Sequence, residues 1–172
     1  MARKEQSDAV IATLRTVPLF QAFSDQTKVM ESLAKQVKKK KVPAGNWLLR
    51  EGELGQNMFI LTDGKVEVTK TTLENEQYTV AAMTSENQPF FGELALLDED
   101  RRSASIRAVS GCEVLELGRK DFESFGNHHP EAGLAIMREL AKIVSRRFRA
   151  TNRDVVRLFS ALVNEISQKE VD

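Results

Sequence analysis

Three textures follow one another along the chain. Over residues 7–41 apolar positions recur at helical spacing. Val10, Ile11, Leu14 and Val17 form one face, halted near Pro18. Val29, Met30, Leu33 and Val37 form another, behind a Ser24-Asp25 pair suited to an N-cap. The segment closes on the lysine run Lys38-Lys39-Lys40-Lys41. It reads as the solvated edge of a strand or helix end, with a phosphate-binding patch as the alternative. From 42 to 118, short runs broken by Gly, Pro, Asn and Asp predict a small antiparallel sandwich or barrel. Gly45, Gly52, Gly55 and Gly64 punctuate its first half. Met58-Phe59-Ile60-Leu61 reads as a buried strand, and Lys65-Val66-Glu67-Val68-Thr69 alternates so that one face is buried. Between them Asp63-Gly64 predicts a hairpin turn. Residues 72–77 predict an exposed loop, and 78–83, 103–109 and 112–117 supply further strands.

After Gly118 the pattern is helical, with His128-His129 as a cap loop and Pro130 able to start a helix. Leu134, Met137, Ala141, Val144, Phe148, Thr151, Val155, Leu158 and Leu162 then alternate steps of three and four, a heptad seam. A helix over 130–168 would run about 58 Å at roughly 1.5 Å per residue. A stripe that long calls for cover, either from a second copy, making a homodimer, or from the N-terminal helices. Thr151 is the one polar residue in the stripe. Arg146, Arg147, Arg149 and Arg153 make a basic helix face, solvated or reaching a ligand or partner.

Composition narrows the function classes. The 172 residues suit one domain with an appendage. The 25 Lys+Arg balance 25 Asp+Glu, which argues against an overall electrostatic grip on nucleic acid or anionic lipid. No apolar run approaches a membrane span, and the charged N-terminus lacks a signal peptide's apolar core. The single cysteine, Cys112, permits no internal disulfide and reads as a small strand residue in a cytoplasmic protein. Two histidines leave a jelly-roll metal enzyme short of ligands. Catalysis and metal or cofactor binding are therefore not expected.

The chemistry concentrates in Phe91-Gly92-Glu93-Leu94-Ala95-Leu96-Leu97-Asp98-Glu99-Asp100-Arg101-Arg102-Ser103-Ala104-Ser105-Ile106. Gly92 lets backbone approach a ligand, and 93–97 can form a helical turn whose unpaired N–H groups suit phosphate. Arg102 can return a guanidinium to the same place, the side chain that meets phosphate oxygens in parallel pairs. Ser103 adds a hydroxyl and Ala104 a reachable N–H. Glu93 beside an anion needs its own donor, and a sugar hydroxyl supplies one. Phosphate plus hydroxyl in one small pocket points to a nucleotide.

This segment resembles the phosphate-binding cassette of cyclic nucleotide-binding domains. Val17-Pro18-Leu19-Phe20, Val42-Pro43-Ala44-Gly45, Glu51-Gly52-Glu53 and residues 58–68 resemble the same family, so that about 17–150 are covered. The resemblance implies an α+β chain, a single domain over 1–168. An antiparallel β-roll of the jelly-roll type (42–118, cassette 91–106) would be flanked by N-terminal helices (7–41) and by C-terminal helices (119–168) serving as lid and dimer element. It further implies that Glu93 takes the ribose 2′-hydroxyl. Arg102 would pair with the cyclic phosphate, helped by the N–H groups of Gly92, Leu94 or Ala95, and Ala104, and by the Ser103 hydroxyl. Thr151 and Asn152 fall where the family's activators contact adenine. Arg101 replaces a frequent proline, which makes Arg102 the phosphate ligand by register and Arg101 solvated. Trp47 stands where an aliphatic residue is commoner. Ser103 leaves cAMP and cGMP both open, with cAMP favoured. Too few residues follow the long helix for a helix-turn-helix domain, so DNA binding by this chain is not expected. The expected function is a non-catalytic cyclic nucleotide sensor that relays to an unidentified protein partner. The alternative is a degenerate roll acting as a ligand-independent dimeric interaction module.

Overall fold

The computed structural model describes residues 2–87 and 89–169. They form two compact units, Met1–Ala135 and Ile136–Asp172. In the first unit, α1 (Ala2–Thr16) ends before a 3-10 turn at Pro18–Phe23, and α2 (Thr27–Ala34) follows. Pro18 lacks a backbone N–H and so suits the first position of that turn. The expected Ser24 cap is not used: Gln26 occupies the N-cap of α2, and the Ser24 hydroxyl donates to the Gln21 carbonyl (3.0 Å).

Among the described residues, eight strands make two four-stranded antiparallel sheets, and helices stand at both ends of this α+β fold. They are β1 (Val37–Val42), β2 (Trp47–Leu49), β3 (Asn57–Asp63), β4 (Lys65–Thr71), β5 (Gln77–Thr84), β6 (Phe90–Phe91), β7 (Ser105–Ala108) and β8 (Cys112–Gly118). The sheet orders are β1-β8-β3-β6 and β2-β7-β4-β5. Inward residues of both, among them Leu49, Phe59, Leu61, Val66, Phe91, Ile106 and Val114, form one apolar core. The opposite side chains of β3 and β8, including Met58, Ile60, Leu115 and Leu117, are buried too. A strand covered on both faces reads as a continuous apolar run, as Met58-Phe59-Ile60-Leu61 does. α3 (Arg119–His128) packs beside β8, and its Phe125 ring lies 6.2 Å from that of Phe23.

Two local readings need correction. The helical reading of 7–41 fails at its end, because Val37–Val42 is β1. Its lysines alternate between the faces of the sheet, where β8 and α3 supply carboxylates. Lys39 and Lys41 reach Glu113 (2.5 and 3.3 Å), while Lys40 reaches Glu116 (2.6 Å) and Lys38 reaches Asp121 (4.0 Å). The run is therefore a paired strand, with its charges answered nearby. Asp63-Gly64 does not close a hairpin either: β3 and β4 belong to different sheets, so this turn is a corner between them. The hairpin lies one strand later, where β4 pairs with β5 around an exposed loop.

α4 (Pro130–Lys169) is a single helix of 40 residues, matching the expected span. In the unit Ile136–Asp172 it carries Phe148, Val155, Leu158 and Leu162 exposed.

Candidate functional site

The site is built on two loops of the first unit that lie side by side. One links β2 to β3 and the other links β6 to β7. The backbones of 52–53 and Arg102 exchange two hydrogen bonds, Gly52 N–H to the Arg102 carbonyl and Arg102 N–H to the Glu53 carbonyl, both 2.9 Å. A bridge between Leu54 and Arg101 adds to them. This strap fixes where the Arg102 side chain leaves the backbone.

Its guanidinium is then oriented by two carbonyls. Nη1 donates to Gly92 O (3.1 Å) and Nη2 to Asn57 O (2.7 Å). A guanidinium has five N–H donors, more than these two carbonyls take up. Gly55 lies flat against the group: a Cβ built there would sit 2.0 Å from Arg102 Nε and 2.3 Å from Cζ. Gly92 answers a second demand. It takes a left-handed conformation at φ 72°, which costs glycine little, and turns the chain into the 3-10 segment Glu93–Leu96.

Glu93 opens that segment and is only 2% exposed, while Arg102 is half-buried. Burial draws the guanidinium below its ordinary value, and the Glu93 charge pulls it back up. Arginine is so basic that it stays protonated regardless. The Ala95 N–H donates to Gly92 O (3.2 Å), the carbonyl that also receives Arg102 Nη1. Ser103 (exposed) and Ala104 (half-buried) stand in a bend just before β7. Gly92, Glu93, Leu94, Ala95, Arg102, Ser103 and Ala104 thus belong to one continuous loop, closed by the contact of Arg102 with Gly92. Arg101 is exposed, and its guanidinium donates to Gly52 O (2.6 Å). Thr151 and Asn152 are exposed on α4 in the other unit.

Two residues of the site escaped the sequence reading. Asn57 lends its carbonyl to Arg102, and its side-chain amide donates to Glu116 Oε1 (2.5 Å), whose other oxygen pairs with Lys40. A line of polar contacts therefore runs from the lysine strand to the guanidinium. Gly55 is the other. Its only signal in the sequence was its membership of a glycine-marked loop.

An oriented guanidinium beside a buried carboxylate can hold an anion that also carries hydroxyl groups. This chemistry, on a β-roll, defines a class of small-ligand-binding domain. A family model described as "Cyclic nucleotide-binding domain" matches residues 39–129, more than half of the chain. The chain belongs to the cyclic nucleotide-binding domain family, a family of regulatory ligand-binding domains. The Cyclic AMP receptor protein of Thermus thermophilus is 33% identical over 113 residues, covering 66% of this chain and 50% of that protein. The cGMP-dependent protein kinase, isozyme 1, of Drosophila melanogaster is 32% identical over 111 residues, covering 64% of this chain and 14% of that protein. The crystal structure of the Thermus thermophilus catabolite activator protein superposes with a TM-score of 0.72 at 30% identity, covering 83% of this chain and 63% of that one. The chain therefore spans half or less of these curated relatives. Among the described residues no helix is long and apolar enough to cross a membrane.

Proposed function

We propose that this chain is a non-catalytic cytoplasmic sensor of a cyclic nucleotide, with cAMP preferred over cGMP. The single observation that carries the reading is the Arg102 guanidinium, held by two backbone carbonyls beside the buried carboxylate of Glu93. Arg102 pairs with the cyclic phosphate, and Glu93 accepts the ribose 2′-hydroxyl. The N–H groups of Gly92, Leu94 and Ala104 and the Ser103 hydroxyl complete the phosphate shell. Leu94 serves better than Ala95, whose N–H already donates to Gly92 O. The preference for cAMP draws on Ser103 and on likeness to a cyclic AMP receptor protein, and cGMP is the competitor to test.

Thr151 and Asn152 are the proposed base contacts, and α4 the proposed lid and dimer element. Ligand then acts by population shift, since it stabilises the arrangement to which it binds better. The output goes to a protein partner. The test is a melting screen of the chain with cAMP, cGMP and AMP. A ligand that binds only the folded state raises the melting temperature, by about 2.7 kcal/mol of stabilisation at a hundredfold excess over Kd. The expected order is cAMP above cGMP, with AMP inert. No shift with any of them would leave a ligand-independent interaction module in its place.

A further inference from the structure

α4 carries more apolar surface than a two-stranded seam covers. Within the unit Ile136–Asp172, Phe148, Val155, Leu158 and Leu162 continue the heptad seam, with Leu158 at 72% exposure. A second stripe, Val156, Phe159, Val163 and Ile166, repeats the steps of three and four and is also exposed, with Phe159 at 66%. A two-stranded coiled coil uses about two apolar positions in seven, whereas a bundle helix presents a wider face.

The angle between the stripes sets the size of the bundle. Val156, Phe159 and Val163 each follow a seam residue by one position. One residue turns an α-helix by about 100°. Seen from one helix, its neighbours stand about 90° apart in a square bundle of four and about 60° apart in a bundle of three. The offset fits four. Arg146, Arg153 and Arg157 are exposed on the side of the helix away from both stripes, while Arg149, one position after Phe148, bounds the second stripe on its N-terminal side, so that stripe runs over 156–166.

We infer that four copies of this chain associate through residues 148–166 of α4. The seam meets one neighbouring copy and the second stripe meets the next. This rests on the proposed self-association through the seam. A dimer joined there has one uncovered apolar stripe on each helix, and a second dimer supplies matching stripes. Two different isologous contacts close as a four-copy assembly with dihedral symmetry.

Sedimentation equilibrium of the 172-residue chain tests this, with calorimetric titration of cAMP on the same samples to read the sensing proposal separately. Four copies are expected. The triple substitution Val156→Gln, Phe159→Gln, Val163→Gln is expected to halve the mass through loss of the second contact. The pair Leu158→Gln, Leu162→Gln is expected to do the same through loss of the first, while Arg153→Gln leaves four. A wild-type mass of two copies overturns the bundle and spares the seam dimer; one copy overturns both. Any other stoichiometry, or a triple variant that stays at four, also overturns the bundle. None of these masses bears on cAMP binding, which the titration reads by itself.

Discussion

Gly55→Ala adds one uncharged methyl group, yet it should disable the phosphate arginine against which it would be built. The new Cβ would sit 2.0 Å from Arg102 Nε and 2.3 Å from Cζ, where carbon contacts need about 3.5 Å or more. One side must retreat by roughly 1.5 Å on that van der Waals scale. The loop of Gly55 is strapped to Arg102 by two backbone hydrogen bonds, so the guanidinium is the part that moves. Moving it strains the bonds to Gly92 O and Asn57 O. A hydrogen bond with a charged partner contributes about 1.5–3 kcal/mol, so loss of one is the scale of the damage. Converted at about 1.4 kcal/mol per tenfold, cyclic nucleotide affinity should fall roughly 10- to 150-fold. Isothermal titration calorimetry with cAMP reads the affinity, and thermal melting without ligand reads the fold. Gly111→Ala is the control, since no atom lies within 4 Å of a Cβ there and binding should be unchanged. If Gly55→Ala binds cAMP as the parent chain does, the packing of Gly55 against Arg102 is not what orients the guanidinium.

Three further outcomes are expected. Glu93→Ala should cost about 1.5–3 kcal/mol of cAMP binding through loss of the charge-assisted bond to the sugar. 2′-Deoxy-cAMP should bind the parent chain as weakly, with little further loss on the variant, a double-mutant cycle that isolates the pair. Glu116→Ala removes the acceptor of the Asn57 amide and the partner of Lys40, and should lower stability by about 1–3 kcal/mol. For a chain of this size that is about 2–4 °C of melting temperature per kcal/mol. The same variant should weaken cAMP binding several-fold while Glu116→Gln keeps most of both, because glutamine still accepts from Asn57. Finally, hydrogen bonds from Lys39 and then Lys41 hold the Glu113 carboxyl below the usual glutamate range. A group with a lowered folded pKa contributes stability above its unfolded value and loses it as pH falls through the folded one. Glu113→Gln should therefore melt slightly below the parent chain at neutral pH, by under about 1 kcal/mol for an exposed pair. The gap should close in acid below the glutamate range, and a gap that persists there would count against the ion pairs as its cause.

Legibility in the sequence followed the range of the interactions. Helical spacing and strand alternation are local, and they located α3, α4, β3 and β4 closely. The cassette was legible as a motif because Gly92, Glu93 and Arg102 lie within one loop, whereas the strap from Gly52 and Glu53 and the Asn57 carbonyl that orient the guanidinium come from another part of the chain. The lysine run was legible in part: it reads as the solvated edge of a strand or a helix end, and the choice between them is made by backbone pairing with β8, distant in sequence, which no local pattern reveals. The Asp63-Gly64 turn shows the same division: its turn chemistry was read correctly, but pairing of the strands it joins is decided by the other sheet. Gly55 and Asn57 were missed because their contributions are an absent side chain and a backbone carbonyl, which leave almost no mark on residue type.

Whether the Arg102 guanidinium holds a cyclic phosphate is tested most directly by a cAMP titration of the parent chain against Arg102→Ala. Leaving a desolvated phosphate unpaired costs about 2–5 kcal/mol. At about 1.4 kcal/mol per tenfold, that is at least some 30-fold in Kd. The expected result is saturable binding to the parent chain with a loss of that size in the variant. Equal affinities for the two chains would contradict it.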